Sequence, residues 1–260
     1  MTDSVVIVSA ARTPMGGMMG SLSSVRAPQL CATAIKAALE RGNVPAADVD
    51  EVVMGCVLPA GLGQAPARQA SLGAGIPTDA GCTTINKMCG SGMKAVMMAH
   101  DQIKAGEAEI MVAGGMENMS QAPYLLPKAR EGMRMGHQQA IDHMFFDGLE
   151  DAYEGGLMGT YAQKSADDYS VTREAMDDFA IGSLEKALKA IETGAFKDEI
   201  APVTIKSRKG ESVVDTDEQP GNARIDKIRG LKPAFKKDGT VTAANSSSIS
   251  DGGSALVLMR

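Results

Sequence analysis

The chain has 260 residues, 44% of them hydrophobic and 22% charged, a balance that suits one large globular domain or two small ones. A net charge of −6 speaks against a protein built chiefly to hold nucleic acid or an anionic membrane surface. The start, MTDSVVIVSAARTPMGG, carries Asp3 in place of a basic segment, and its apolar run is too short for a secretory leader or a membrane span, so a cytoplasmic location is expected.

In chain order, VVIVSA reads as a strand and APQLCATAIKAALERG as a helix. EVVMGCV is a second strand. GLGQAP, Gly61 to Pro66, holds half of a glycine-rich nucleotide loop but breaks the pattern at its last position and has no lysine, so it reads as a plain loop. An apolar lead into Cys89, a helix through GSGMKAVMMAHDQIKAG and a strand at EIMVAGG complete an α/β rhythm. In the helix after Cys89, Met93, Val96, Met97 and Ile103 recur at helical spacing and predict the face that packs on a sheet. Gly106 is placed to stop that helix.

Beyond GGMENMSQAPYLLP the pattern changes. From Asp147 to Asp178 nine acidic residues stand against Lys164 and Arg173, whereas Val203 to Lys237 carries nine basic against five acidic residues. Thr172 can cap a helix whose stripe of Met176, Phe179, Leu184, Leu188 and Ile191 is predicted to be buried, with Gly194 ending it. DGGSALVLM returns to a glycine-then-strand pattern. The expected organisation is a core α/β domain of residues 1–120 and 245–260 interrupted by an inserted loop domain, 121–244, with no internal repeat.

Four cysteines, Cys31, Cys56, Cys82 and Cys89, show no CxxC spacing, and no histidines lie near Cys82 and Cys89 to complete a metal set, so reduced thiols and no metal are expected. Cys89 sits differently from the others, in INKMCGSGMKAV, between a strand-like run and a helix. Glycines after it permit a tight strand-to-helix turn and keep bulky groups from the sulfur. Helix N–H groups and the positive end of the dipole then favour a nucleophilic sulfur. Simple packing stays open from placement alone, because cysteine is so often buried. Cys31, Cys56 and Cys82 read as packing residues. A cysteine enzyme also needs a base, and His100, His137 and His143 each read first as surface histidines, which leaves the site around Cys89 incomplete.

SAARTPMGG, NKMCGSGMKAV, VAGGMENMSQAPYLLP and LKPAFKKDGTVTAANSSSISDGGSALVLM, in that order, resemble the first half of the thiolase family, most nearly its acetyl-CoA acetyltransferases, and the likeness covers the whole chain. The resemblance implies two similar α/β domains with a loop domain inserted in the first. It implies that Cys89 attacks an acyl-CoA thioester and holds the acyl group, while a second cysteine and a histidine, in CxG and GHP motifs of the second half, move protons. Neither motif occurs here. By this likeness the chain is an N-terminal half without the C-terminal catalytic domain, and inactive alone.

The substrates so implied are acetyl-CoA, acetoacetyl-CoA and CoA, with no separate cofactor. Leu149, Met158, Phe235, Ala243 and Ile249 would line the pantetheine tunnel, Ser247 would bond the pantetheine, and the basic stretch would suit the nucleotide. Met119 to Gly136 is similar to the loop that joins subunits of related thiolases into homotetramers. Leu157 stands where several short-chain members carry histidine, and Pro220 where some carry an arginine near the adenine, leaving Arg224 or Lys227 for that role. A condensing ketoacyl synthase shares the fold but takes its acyl chain from a carrier protein and lacks the methionine-rich insertion. A longer-chain 3-ketoacyl-CoA thiolase and a non-catalytic thiolase-like binding or assembly protein are the other readings. Retention of the whole NKMCGSG setting weighs against the last.

Overall fold

The computed structural model describes residues 4–208 and 210–260, so Asp3 and Lys209 of the basic stretch lie outside the described residues. In chain order the elements are β1 (Val6–Arg12), β2 (Gly16–Gly17), α1 (Ala27–Gly42), β3 (Glu51–Gly55), α2 (Pro66–Gly73), β4 (Gly81–Ile85), α3 (Ser91–Ala105) and β5 (Ile110–Asn118). There follow β6 (Tyr124–Leu125), β7 (Ile141–Asp142), a π-helical turn (Phe145–Leu149), α4 (Met158–Asp168) and α5 (Arg173–Thr193). The chain then forms β8 (Val203–Ser207), β9 (Gly210–Val214), α6 (Glu218–Asn222), α7 (Ile225–Ile228) and β10 (Ser250–Met259). These elements make two compact units: residues 1–121, 196–218 and 250–260, and residues 122–195 and 219–249.

The first unit is built on a sheet ordered β1-β10-β5-β3-β4, with β2 beside β10. β3 runs parallel to β4 and β5, and β10 antiparallel to β5 and β1. Alternation along the strands assigns side chains to the two faces. Val52, Met54, Val112 and Val257 join Cys31, Ala34, Ile35 and Ala38 of α1 and Ala67 and Ala70 of α2 in one apolar cluster. Val53, Met111, Ala113 and Leu258 join Ala95, Ala99 and Ile103 of α3 in another. Both faces of the central strands are therefore covered, as their near-continuous apolar sequences require.

α3 corrects one expectation. Its buried face is Ala95, Ala99 and Ile103, whereas Met93 and Met97 are 75% and 52% exposed. Small residues line the seam on this side: a Cβ on Gly55 of β3 would fall 2.6 Å from Ser91 Cβ, and one on Gly92 of α3 would already touch the Gly114 carbonyl oxygen at 3.6 Å, so the helix sits close to the sheet on its alanine face. Burying Ile103 contributes about 1.5–3 kcal/mol, and the alanines contribute less each but allow the close approach.

Residues 196–218, expected from their charge to belong to the insertion, pack with the core unit. Val203 of the β8–β9 hairpin is buried with Leu22 and Leu30. Arg12 is the anchor, donating to both oxygens of Asp217 at 2.7 and 2.9 Å and to Glu199 at 2.7 Å, with its guanidinium 5.2 Å from the centre of the Phe196 ring. Burial pushes the Asp217 carboxyl up, but the Arg12 fork and the Met15 N–H outweigh it and hold the group below the ordinary value. The hairpin is hard to see in the sequence because its alternating residues, VTIK and ESVV, flank a charged turn and merge into one basic stretch.

In the second unit, Thr172 Oγ1 accepts the Ala175 N–H at 3.2 Å and Gly194 closes α5 in a left-handed turn. The predicted apolar stripe fails at Phe179, which is 80% exposed, and its other members are only half-buried. The buried residue on α5 is Asp177, held by Arg173 at 2.7 Å and the Asn245 amide at 3.0 Å. Buried Gln163 likewise accepts from the N–H groups of Thr240 and Val241 at 2.7 and 3.0 Å. The acidic and basic blocks meet here, Lys236 with Asp167 at 2.8 Å and Arg229 with Asp178. α5 faces loops with polar backbone, and hydrogen bonds replace the apolar stripe.

Among the described residues no helix is long and apolar enough to cross a membrane. The first unit does present an apolar groove of about 380 Å³ lined by Val5, Val6, Ile7, Met93, Met97 and Leu258. A contiguous band of this kind favours association. Light scattering of the purified chain should therefore give a mass above the 27.0 kDa of one copy, and the double substitution Met93→Glu, Met97→Glu should lower it; a parent chain that stays monomeric at tens of micromolar (about 50 µM) would contradict this.

Candidate active site

β4 ends at Ile85 and α3 begins at Ser91, so five residues, Asn86 to Gly90, reverse the chain at the end of the sheet. The turn is held from within. Asn86 Oδ1 accepts the Met88 N–H at 2.9 Å, Gly90 N–H donates to the Lys87 carbonyl at 3.1 Å, and Ser91 N–H donates to the Met88 carbonyl at 3.0 Å. The Cys56 N–H donates to the Ile85 carbonyl at 3.0 Å and the Asn86 amide reaches the Val57 carbonyl at 3.4 Å, which ties the turn to the end of β3. Glu117 steadies that neighbouring loop by accepting the N–H groups of Val57 and Leu58 at 2.8 and 3.1 Å.

Cys89 lies in this turn as an exposed free thiol, one residue before the Gly90 that caps α3 without any side-chain bond. The helix that follows is 15 residues long, and its first N–H groups and dipole meet the turn. Close packing fixes where the helix begins. A Cβ on Gly55 of β3 would fall 2.6 Å from Ser91 Cβ and 2.7 Å from its carbonyl carbon, so no side chain fits there.

The other thiols are placed as packing residues. Cys31 and Cys56 are buried and Cys82 is half-buried. Burial, with a small push from Cys56, raises the Cys31 thiol to about 12. Burial and then the Glu117 carboxylate, to which its sulfur donates at 3.7 Å, push Cys56 to about 12. Neither can supply a thiolate near neutrality.

The histidines divide. His100 is exposed and pairs with Asp101 at 3.0 Å. It stands 11 residues along from Cys89, roughly 16 Å at a helical rise, too far to serve it as base. His137 is exposed. His143 is a correction: it is 5% exposed, its Nδ1 lies 2.5 Å from Asp147 Oδ2, and its buried Nε2 has no partner among the described residues. Nothing in its sequence neighbourhood signalled burial, because the elements around it are short and irregular. Among the described residues no group of three or more His, Cys, Asp or Glu is placed to hold a metal ion.

The residues expected at a coenzyme site belong to the second unit and Cys89 to the first. Leu149 ends the π-helical turn and Met158 opens α4, on either side of a bridge between Glu150 and Leu157. The Phe235 ring lies directly on Gly159, whose added Cβ would meet it at 2.2 Å, which joins Phe235 to the start of α4. Ala243 and Ser247 are exposed and Ile249 half-buried in one segment. Thr242 and Asn245 brace that segment through the bond from Thr242 N–H to Asn245 Oδ1 at 2.7 Å, and Gln219 donates to the Ile249 carbonyl at 3.1 Å. Arg224 is exposed and 3.6 Å from Asp226.

The family model described as thiolase, N-terminal domain, matches residues 5–260. The chain belongs to the thiolase N-terminal domain family. It is 55% identical over 261 residues to an acetyl-CoA acetyltransferase of Cupriavidus necator, covering 100% of this chain and 66% of that relative. It is 50% identical to an acetyl-CoA acetyltransferase of Pseudomonas aeruginosa, covering 98% of this chain and 65% of the relative. It is 53% identical to acetyl-CoA acetyltransferase 2 of Arabidopsis thaliana, covering 98% and 64% respectively. The chain thus spans just under two thirds of the length of these curated relatives.

Two outcomes follow from the geometry. Limiting iodoacetamide with peptide mapping should label Cys89 first and reach Cys31 and Cys56 only after unfolding; early labelling of either buried thiol would contradict the assignment. Gly55→Ala should destabilise the chain by about 1–3 kcal/mol in denaturant titration, because the backbone at Ser91 must move, and should slow Cys89 labelling in the folded state.

Proposed function

We propose that this chain carries the nucleophile-bearing part of an acetyl-CoA C-acetyltransferase, an acyltransferase moving acetyl groups between coenzyme A thioesters. The observation that carries the reading is the exposed Cys89 thiol at the start of α3 in a chain about half identical, along its whole length, to proteins named acetyl-CoA acetyltransferase. Its sulfur attacks the acetyl-CoA carbonyl, a tetrahedral oxyanion forms, and the C–S bond to coenzyme A breaks, leaving acetyl-Cys89 and CoA thiolate. A base then removes a proton from C2 of a second acetyl-CoA. The carbanion attacks the acetyl carbon, so that acetoacetyl-CoA leaves and the Cys89 thiolate returns; thiolysis is the reverse.

Leu149, Met158, Phe235, Ala243, Ser247 and Ile249 are the proposed pantetheine contacts, and Arg224 or Lys227 the nucleotide contact. The second unit, residues 122–195 and 219–249, is proposed to serve as the coenzyme-binding and subunit-joining insertion. We place the protein in the cytoplasm, as a homotetramer in its full enzyme, acting in fatty acid metabolism on acetyl-CoA, acetoacetyl-CoA and CoA without a further cofactor.

Condensation also needs the proton-moving groups, and the CxG and GHP motifs that supply them in the family are not among these 260 residues. Losing a general base costs roughly 10²–10⁴-fold. Incubated with acetyl-CoA, the chain should gain one acetyl group on Cys89 by intact mass and peptide mapping, while releasing no measurable acetoacetyl-CoA. Adding the separately produced C-terminal third of the Cupriavidus necator relative should restore turnover, and Cys89→Ala should abolish both. Acetylation at another residue, or activity kept by Cys89→Ala, would overturn the proposal.

A further inference from the structure

Met88, immediately before Cys89, has φ 48. A side chain that carries a Cβ enters this left-handed region only at a cost of about 1–2 kcal/mol, so something must hold it there. Both polar groups of its backbone are engaged. Its N–H donates to Asn86 Oδ1 at 2.9 Å, and its carbonyl accepts the Ser91 hydroxyl at 2.6 Å as well as the Ser91 N–H at 3.0 Å. The same hydroxyl accepts the Lys87 N–H at 2.8 Å. Ser91 is 4% exposed and seated against Gly55. Its hydroxyl proton is committed inside the turn and the group is shut off from solvent, so it is poorly placed to contact a substrate. It also acts opposite to an ordinary helix cap, whose side-chain oxygen accepts from the following turn; here the oxygen reaches backwards.

We infer that Ser91 and Asn86 are positioning residues that clamp Met88 in its left-handed conformation and so present the Cys89 thiol at the N-terminal end of α3. The inference rests on Cys89 being the nucleophile. Without the clamp, Met88 relaxes toward negative φ, the turn unwinds by a residue and the sulfur leaves the helix end. The strain that Met88 carries then sets the size of the effect, and a glycine at position 88, which bears no such strain, should make the clamp unnecessary.

The experiment is the second-order rate of Cys89 alkylation by iodoacetamide in the 260-residue chain. Ser91→Ala should slow it roughly five- to thirtyfold, the factor that corresponds to a left-handed residue set free, and Asn86→Ala should slow it in the same direction. Met88→Gly combined with either substitution should return the rate to within about twofold of Met88→Gly alone. A purely structural role for the serine or asparagine would not be rescued by glycine two or three residues away. If Ser91→Ala fails to fold, Asn86→Ala decides, since Asn86 is exposed and its amide bond to the half-buried Val57 carbonyl, at 3.4 Å, is long. Alkylation of both single variants at the parent rate, or slowed variants that Met88→Gly does not restore, would overturn the clamp. Iodoacetamide involves no acyl chemistry. A chain that followed this pattern yet took no acetyl group from acetyl-CoA would refute the proposed function and leave the clamp standing.

Discussion

The close approach of α3 to the sheet is the constraint on which the rest of the first unit depends. Gly55 on β3 leaves no room for a side chain against Ser91, a Cβ on Gly92 of α3 would already be in contact with the Gly114 carbonyl oxygen of β5 at 3.6 Å, and a Cβ on Gly114 would come within 2.0 Å of the Ser254 carbonyl oxygen on β10. Helix and strands are brought together backbone to backbone, with Ala95 and Ala99 filling what remains. That contact sets the height at which α3 begins. It thereby sets the length of the turn from β4 and the place where Cys89 can stand. A looser interface would have given Met93 and Met97 room to pack inward, but it would have moved the start of α3, and with it the turn that carries Cys89, away from the sheet.

The two units solve the burial problem by different physics. In the first, alternating residues of β3, β5 and β10 feed apolar clusters on both faces, and the non-directional hydrophobic effect supplies most of the stabilisation. In the second, the groups most fully enclosed include Asp177, Gln163, Thr242 and His143, and each except His143 Nε2 meets partners in irregular backbone. Such a network specifies geometry strongly, because leaving one buried partner unmet costs more than the bond contributes. Loops that must hold a shape without a sheet behind them need this kind of bonding. Arg12 acts in the same way in the first unit, where its bidentate pair with Asp217 seats residues 196–218, which the charge pattern had assigned to the insertion.

Much of the first unit was legible from residue order. Strand and helix alternation and the stop at Gly106 depend on local backbone preferences and hold within a residue or two of their expected places, as do the cap at Thr172 and the stop at Gly194 in the second unit. The setting of Cys89 was legible too, because a cysteine between a strand-like run and a helix, with glycines after it, has to stand near the positive end of a helix dipole, a position that none of the remaining three thiols shares. Less was visible where a residue's environment comes from distant segments. Phe179 and Met93 have the right periodicity for a core and are exposed, because periodicity identifies one helical face but not the depth of the surface opposite it. His143 gave no warning of burial for the complementary reason.

Sequence by itself determined the element types of the core, their order, the place of Cys89 in a strand-to-helix turn and the kinship of the whole chain, all of which follow from local propensity and from motifs whose residues adjoin one another. Tertiary structure alone decided which face of α3 turns inward, that residues 196–218 belong with the core, and that Met88 is held left-handed by Asn86 and Ser91. Each of these depends on atoms brought within a few ångströms of one another by the folded backbone. Gly55 is the plainest case: in the sequence it is one glycine at a strand end, and only the position of Ser91 across the gap, where a Cβ would come within 2.6 Å, shows why nothing larger can stand there.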